Sequence, residues 1–73
     1  MFAPQKLREL RKNKKLTQRQ LAAYAKVSQS LISLYETGNC VPSLRVLERF
    51  AVALKVPPQR FLVQHKPDKT KNP

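Results

Sequence analysis

Apolar positions recur three and four residues apart in short groups, and each group is closed by a residue type that ends helices. Leu7 and Leu10 mark one face of a first helix, running from about Pro4 or Gln5 to Asn13, with proline suited to its first turn. Thr17 opens a second as N-cap, and Gln20, three residues on, completes a capping box. Leu21, Ala22 and Ala25 form its inner face, with small Ala22 placed where crossing backbones come close. Ser28 opens a third helix to about Thr37, with Ile32 and Tyr35 turned inward. Gly38 stands where a left-handed C-cap is expected, and Asn39 prolongs the turn. Ser43, after Pro42, caps a fourth helix on which Leu44, Leu47, Ala51 and Leu54 share one core-facing stripe, with Val46 and Phe50 beside it. Pro57-Pro58 starts a short fifth helix carrying Phe61 and Leu62. The pattern predicts an all-α, compact five-helix domain over residues 5–64, followed by a mobile basic tail over 65–73 that has nothing to bury.

Size and charge narrow what such a domain can do. At 73 residues the core is small, and a dimer contact would supplement it. Fifteen Lys and Arg against 4 Asp and Glu give a formal charge of +11, which implies a polyanionic partner, nucleic acid ahead of an anionic membrane. No apolar run is long enough to span a bilayer, so no membrane partner is expected. The N-terminus Met1-Phe2-Ala3-Pro4-Gln5-Lys6 lacks the apolar centre of a signal peptide, and the single Cys40 has no internal disulfide partner, so a cytoplasmic protein is expected.

The second and third helices, joined by a tight turn, have the shape of a helix-turn-helix, whose second helix enters the DNA major groove. With Ile32 and Tyr35 inward, the outward positions of the third helix are Gln29, Ser30, Ser33 and Leu34, with Leu31 at the margin. A glutamine amide can donate to N7 and accept from the N6 amino group of one adenine, worth roughly 1–3 kcal/mol of discrimination. Ser30 and Ser33 suit several base edges, and Leu34 and Leu31 suit thymine methyls. The plainer alternative makes Gln29 a solvated first-turn residue and the leucines core. Phosphates would be held by backbone N–H groups at the starts of the second and fourth helices, near Thr17-Gln18 and Ser43-Leu44, and by Asn39, with Arg19, Arg45 and Lys14 as flanking cations. Lys6, Arg8, Lys12 and Lys15 are either a solvated face or further phosphate contacts. Glu36 lies in the last turn of its helix, where the dipole disfavours a negative charge. A specific cation is therefore expected beside it, and Arg11, next to Leu7 and Leu10, is the best placed.

Taken in order, Leu7-Arg8 with Arg11, Leu16-Thr17-Gln18, Leu21-Ala22, Val27-Ser28, Ile32-Ser33, Tyr35-Glu36, Gly38, Pro42-Ser43 with Leu47, and Ala51 with Ala53-Leu54 and Val56 closely resemble the lambda-repressor/Cro-type (Xre-like) helix-turn-helix family. The resemblance runs from about Leu7 to Phe61. It implies a five-helix domain that binds operator DNA as a homodimer. It also implies that Gln18 packs its amide against Gln29 while touching a phosphate, and that Arg11 and Glu36 form an interhelix bridge. Lys26 departs from the pattern, standing where the family often has glycine. Leu31 and Leu34 depart too, replacing polar or basic residues and reducing the expected base-edge contacts.

Other classes fit less well. His65, Cys40 and the acids Glu9, Glu36, Glu48 and Asp68 form no evident catalytic or metal-binding group, and one glycine cannot build a phosphate loop, so no enzyme, metal or cofactor is expected. Cys40 reads as a loop residue, with a redox or intermolecular role as the alternative. A membrane-active peptide would need one long amphipathic helix, which the caps and prolines interrupt. The expected function is a transcriptional regulator, a repressor blocking a promoter as a homodimer. The rival is an antitoxin-type interaction module with a small protein partner and autoregulatory DNA binding. Val56, Phe61 and Leu62, with Val63, are the expected homodimer seam, or in the rival reading the partner contact.

Overall fold

A computed structural model describes residues 1–62; the expected tail and Val63 lie outside them. Among the described residues there are four α-helices, α1 (Pro4–Asn13), α2 (Gln18–Ala25), α3 (Gln29–Thr37) and α4 (Leu44–Leu54), then a 3₁₀ turn at Pro58–Phe61. The expected fifth helix is thus corrected to a single tight turn. Pro57 and Pro58 leave only four residues before the chain must bend back toward its own beginning, too few for an α-helical ladder to propagate. That return is fixed by Ala3 N–H donating to the Phe61 carbonyl at 2.8 Å and by an antiparallel bridge between Phe2 and Leu62.

The caps set the helix starts. Thr17 Oγ1 accepts from Gln20 N–H at 3.0 Å while Gln20 Oε1 accepts from Thr17 N–H at 2.8 Å, the reciprocal capping box. Ser28 and Ser43 cap α3 and α4 by accepting from Leu31 N–H (3.1 Å) and Val46 N–H (3.2 Å). The helix ends share a second device. Leu16, Val27, Asn39 and Val56 each donate their N–H five residues back, to Arg11, Ala22, Leu34 and Ala51, across a residue in the left-handed region. Glycine serves that role at residue 38 only. Lys15, Lys26 and Lys55 take it elsewhere, at φ 59°, 60° and 58°. The apolar residue that follows each lysine, Leu16, Val27 or Val56, packs against the core and holds the strained cap in place.

A β-carbon in this backbone region is disfavoured by roughly 1–2 kcal/mol, partly offset in a glycine variant by its freer unfolded chain. Lys26→Gly is therefore expected to stabilise the domain by about 1 kcal/mol in urea unfolding. Unchanged or lower stability would show that the lysine stem recovers the strain through packing.

All helices converge on Leu7, Leu21, Ile32, Phe50, Leu54 and Phe61, each with essentially no exposed surface. Phe50 is central, meeting Tyr35 edge-on at 5.9 Å and Phe61 at 6.1 Å between ring centres. Two expectations fail here. Leu44 was expected in the core stripe of α4, yet it is 68% exposed at the first residue of the helix, outside the buried set Leu47, Phe50, Ala51 and Leu54. Phe61 was expected at a seam between copies, yet it is 0% exposed and belongs to the monomer's own core. Val56 and Leu62 are half-buried and keep an outer edge.

Candidate nucleic-acid interface

The second and third helices are locked to the first through one carboxylate. Arg11 Nε donates to Glu36 Oε2 at 2.6 Å and Arg11 Nη2 to Glu36 Oε1 at 3.1 Å, a two-pronged ion pair. The side chains are only 10% and 4% exposed. The third prong, Arg11 Nη1, donates to the Leu16 carbonyl at 2.8 Å and so holds the loop leading into α2. Glu36 also accepts at Oε1 from the Gln18 amide, 3.1 Å away. An acid at the unfavourable end of α3 thus gathers donors from α1 and α2, and the Arg11 charge offsets the adverse dipole.

Gln18 consequently gains a role in the clamp. Its amide donates to Glu36, a partner the resemblance did not imply. A carboxylate only accepts, so the Gln18 NH₂ group must turn inward and its carbonyl oxygen outward.

This clamp presents one face of α3. Gln29, Ser30 and Ser33 are exposed and follow the three- and four-residue spacing of a single stripe, with Leu34 beside them at 41% exposure. Leu31 is half-buried and packs on the core, as the plainer reading of that residue has it. Gly38 ends the stripe at φ 85°, and a β-carbon there would meet Pro4 Cγ at 3.4 Å, so α3 stops where α1 begins.

The candidate phosphate contacts surround this face by sequence position. α2 and α4 carry no acid in their first turns, so the positive ends of both dipoles stay uncompensated. Their capping hydroxyls serve the N–H groups of Gln20 and Val46, which leaves those of Gln18, Arg19, Leu44 and Arg45 without a helical partner. Thr17, Arg19, Ser43 and Arg45 are exposed and Gln18 is half-buried. Asn39 has its backbone N–H on Leu34 and its side-chain Nδ2 on Thr37 Oγ1 at 3.0 Å. Thr37 in turn donates to the Leu34 carbonyl at 3.1 Å. Thr37, which the sequence reading passed over, therefore orients the Asn39 amide and leaves it one free hydrogen. The sequence signals only the Thr37 bond to the backbone, since threonine hydroxyls commonly bond a carbonyl three or four residues back.

Burial raises the Tyr35 phenol above its usual value of 10, and Cys40 pushes in the same direction. Among the described residues no group of three His, Cys, Asp or Glu could hold a metal ion, and no helix is long and apolar enough to cross a membrane.

The helix-turn-helix domain family matches residues 5–61, and the chain belongs to this family, in its Xre, lambda-repressor-like branch. It is 41% identical over 59 residues to the HTH-type transcriptional regulator RghRB of Bacillus subtilis (strain 168); the match covers 80% of this chain and 42% of that protein. Among solved structures, the restriction-modification controller protein C.AhdI from Aeromonas hydrophila superposes with a TM-score of 0.78 at 34% identity, covering 81% of this chain and 89% of that one. SinR, a master regulator for biofilm formation solved in complex with DNA, gives 0.77 at 30% identity, covering 82% and 100%. The P22 c2 repressor, solved with a synthetic operator, gives 0.78 at 27% identity, covering 85% and 94%. The family and these neighbours are transcription regulators, not enzymes.

Proposed function

We propose that this chain binds double-stranded DNA sequence-specifically as a transcriptional regulator, with α3 in the major groove, and that it represses by occupying a promoter. The observation that carries this reading is the exposed Gln29–Ser30–Ser33 stripe, with Leu34, on a helix whose opposite side is clamped by Arg11 and Glu36. Base readers need a rigid mount, and side chains free of internal duty. Gln29 is the base-reading residue of greatest selectivity, and Ser30, Ser33 and Leu34 supplement it. Thr17, Arg19, Asn39, Ser43 and Arg45, with Gln18 through its free backbone N–H, hold phosphates and set the register. SinR and the P22 c2 repressor, which share this fold, were both solved with DNA, and that supports a DNA-binding reading.

The chain acts as a homodimer through the outer edges of Val56 and Leu62, without Phe61. Two copies would then read half-sites roughly 34–36 Å apart. Selection from random duplexes at near-physiological salt tests this directly. A two-fold symmetric enriched motif supports the dimeric regulator, and tight binding with no enriched motif overturns it. Within that motif, Gln29→Ala is expected to lose roughly 1–3 kcal/mol of preference at one base pair. A uniform loss over all sequences would make Gln29 a phosphate contact instead.

A further inference from the structure

On the side of α4 turned toward α2, Arg45, Glu48, Arg49 and Val52 follow one helical stripe, and Tyr24 of α2 forms the facing wall. Between them runs an open groove of about 360 Å³ floored by Ala53. Among the described residues its apolar walls are uncovered: Val52 is 79% exposed and Tyr24 63%. Arg49 is steadied by donating to the Ala25 carbonyl at 3.4 Å, which fixes its stem along the groove. The groove itself contains neither Val56 nor Leu62, but it borders the proposed homodimer seam, because Glu48 and Val52 also line the neighbouring depression that holds Val56.

We propose that this groove docks an acidic helical segment of another protein, with one large aliphatic side chain inserted between Tyr24 and Val52. Charge selects the occupant. Arg45 and Arg49 line the groove against Glu48 alone, Lys55 lies one turn beyond Val52, and the chain as a whole carries +11. A second copy would bring the same cations against these, whereas an acidic helix meets each with a carboxylate. The stripe from Arg45 to Val52 spans about two helical turns, which suits an anchor with flanking acids at i±3 and i±4. Occupancy would take Arg45, so docking would weaken DNA binding. That consequence alone rests on the proposed function; the docking itself does not.

The test uses the full chain, isotope-labelled, without DNA. The probe is a short helical peptide of Glu and Ala with one central Leu, beside a version with Ala for that Leu and a version with Lys for every Glu. The Leu peptide is expected to bind and to shift the Tyr24 and Val52 resonances, and both control peptides to bind far more weakly. Val52→Glu, at a solvent-exposed position that leaves folding intact, is expected to weaken the Leu peptide by about tenfold or more. Equal binding of the Ala peptide would reduce the interaction to surface charge and overturn the proposal. So would shifts centred on α3, unchanged binding by Val52→Glu, or peptide-free self-association through Tyr24 and Val52 as concentration rises. A DNA titration kept separate from these measurements shows independently whether the DNA-binding reading fails.

Discussion

Glu36→Ala is expected to destabilise the domain by about 3–5 kcal/mol, because it strands the buried Arg11 guanidinium without its counter-charge. The geometry makes this large. Both carboxylate oxygens are engaged, three hydrogen bonds are lost at once, and neither side chain has more than a tenth of its surface in water to recover solvation. A chain of this length holds on the order of 0.05–0.15 kcal/mol per residue in total, so the variant sits at the edge of unfolding at room temperature. Urea titration in the cold, or with a stabilising salt, keeps the measurement within range. Arg11→Met with Glu36→Leu should be less damaging than Glu36→Ala alone, since both charges leave together and the space is refilled. A coupling energy below about 0.5 kcal/mol in the double-mutant cycle would mean that the pair acts independently and that α3 is mounted by apolar packing. Gln18→Met, which removes only the third bond, should change stability by about 1 kcal/mol and leave the ion pair in place.

That clamp shows how far the sequence could be read. Glu36 was legible because its position conflicts with the helix dipole and demands a cation, and Arg11 was the cation on the correct face. The third donor was not legible. Gln18 lies 18 residues from Glu36, and nothing local distinguishes an amide that turns inward from one that faces solvent. Helix starts were readable for a similar reason, since Thr17, Ser28 and Ser43 carry their own capping chemistry. The ends of α1, α3 and α4 were also readable, but a left-handed cap was foreseen only at Gly38 and, through the family resemblance, at Lys26. The left-handed lysines at 15 and 55 depend on Leu16 and Val56 docking onto the core, a tertiary effect. Leu44 and Phe61 fail in opposite directions. Periodicity assigns a face but not where that face ends, so Leu44 was put inside. No local pattern announces that the chain after Pro57-Pro58 returns to Ala3, so Phe61 was put outside. The exposed stripe proposed to read bases follows from α3's inward residues alone, which is why it is legible before any geometry is known.

Raising salt from 50 to 200 mM is expected to weaken specific DNA binding by about a thousandfold, the largest effect foreseen on the interaction itself. Arg19, Arg45 and Lys14 give three candidate phosphate cations per copy, all exposed, and a homodimer doubles them. Each neutralised phosphate releases a condensed counterion, so six contacts give a slope near −5 in log K against log salt, by the factor of about 0.9 per contact. The helix N-termini of α2 and α4 and the Asn39 amide add phosphate bonds that are neutral and contribute little to that slope. Arg45→Ala should therefore reduce the slope by about 2 in the dimer and weaken all sequences alike, whereas Gln29→Ala should leave the slope unchanged and alter one base preference. Lys6, Arg8 and Lys12 on α1 serve as the contrast, being exposed on the helix most distant in sequence from the base-reading stripe. If Lys12→Ala moves the slope as much as Arg45→Ala does, the basic face of α1 is also on the duplex. If neither moves it, binding is not anchored by these cations and the docking of α3 as described is wrong. Separating slope from preference in this way assigns each residue either to holding the duplex or to reading it.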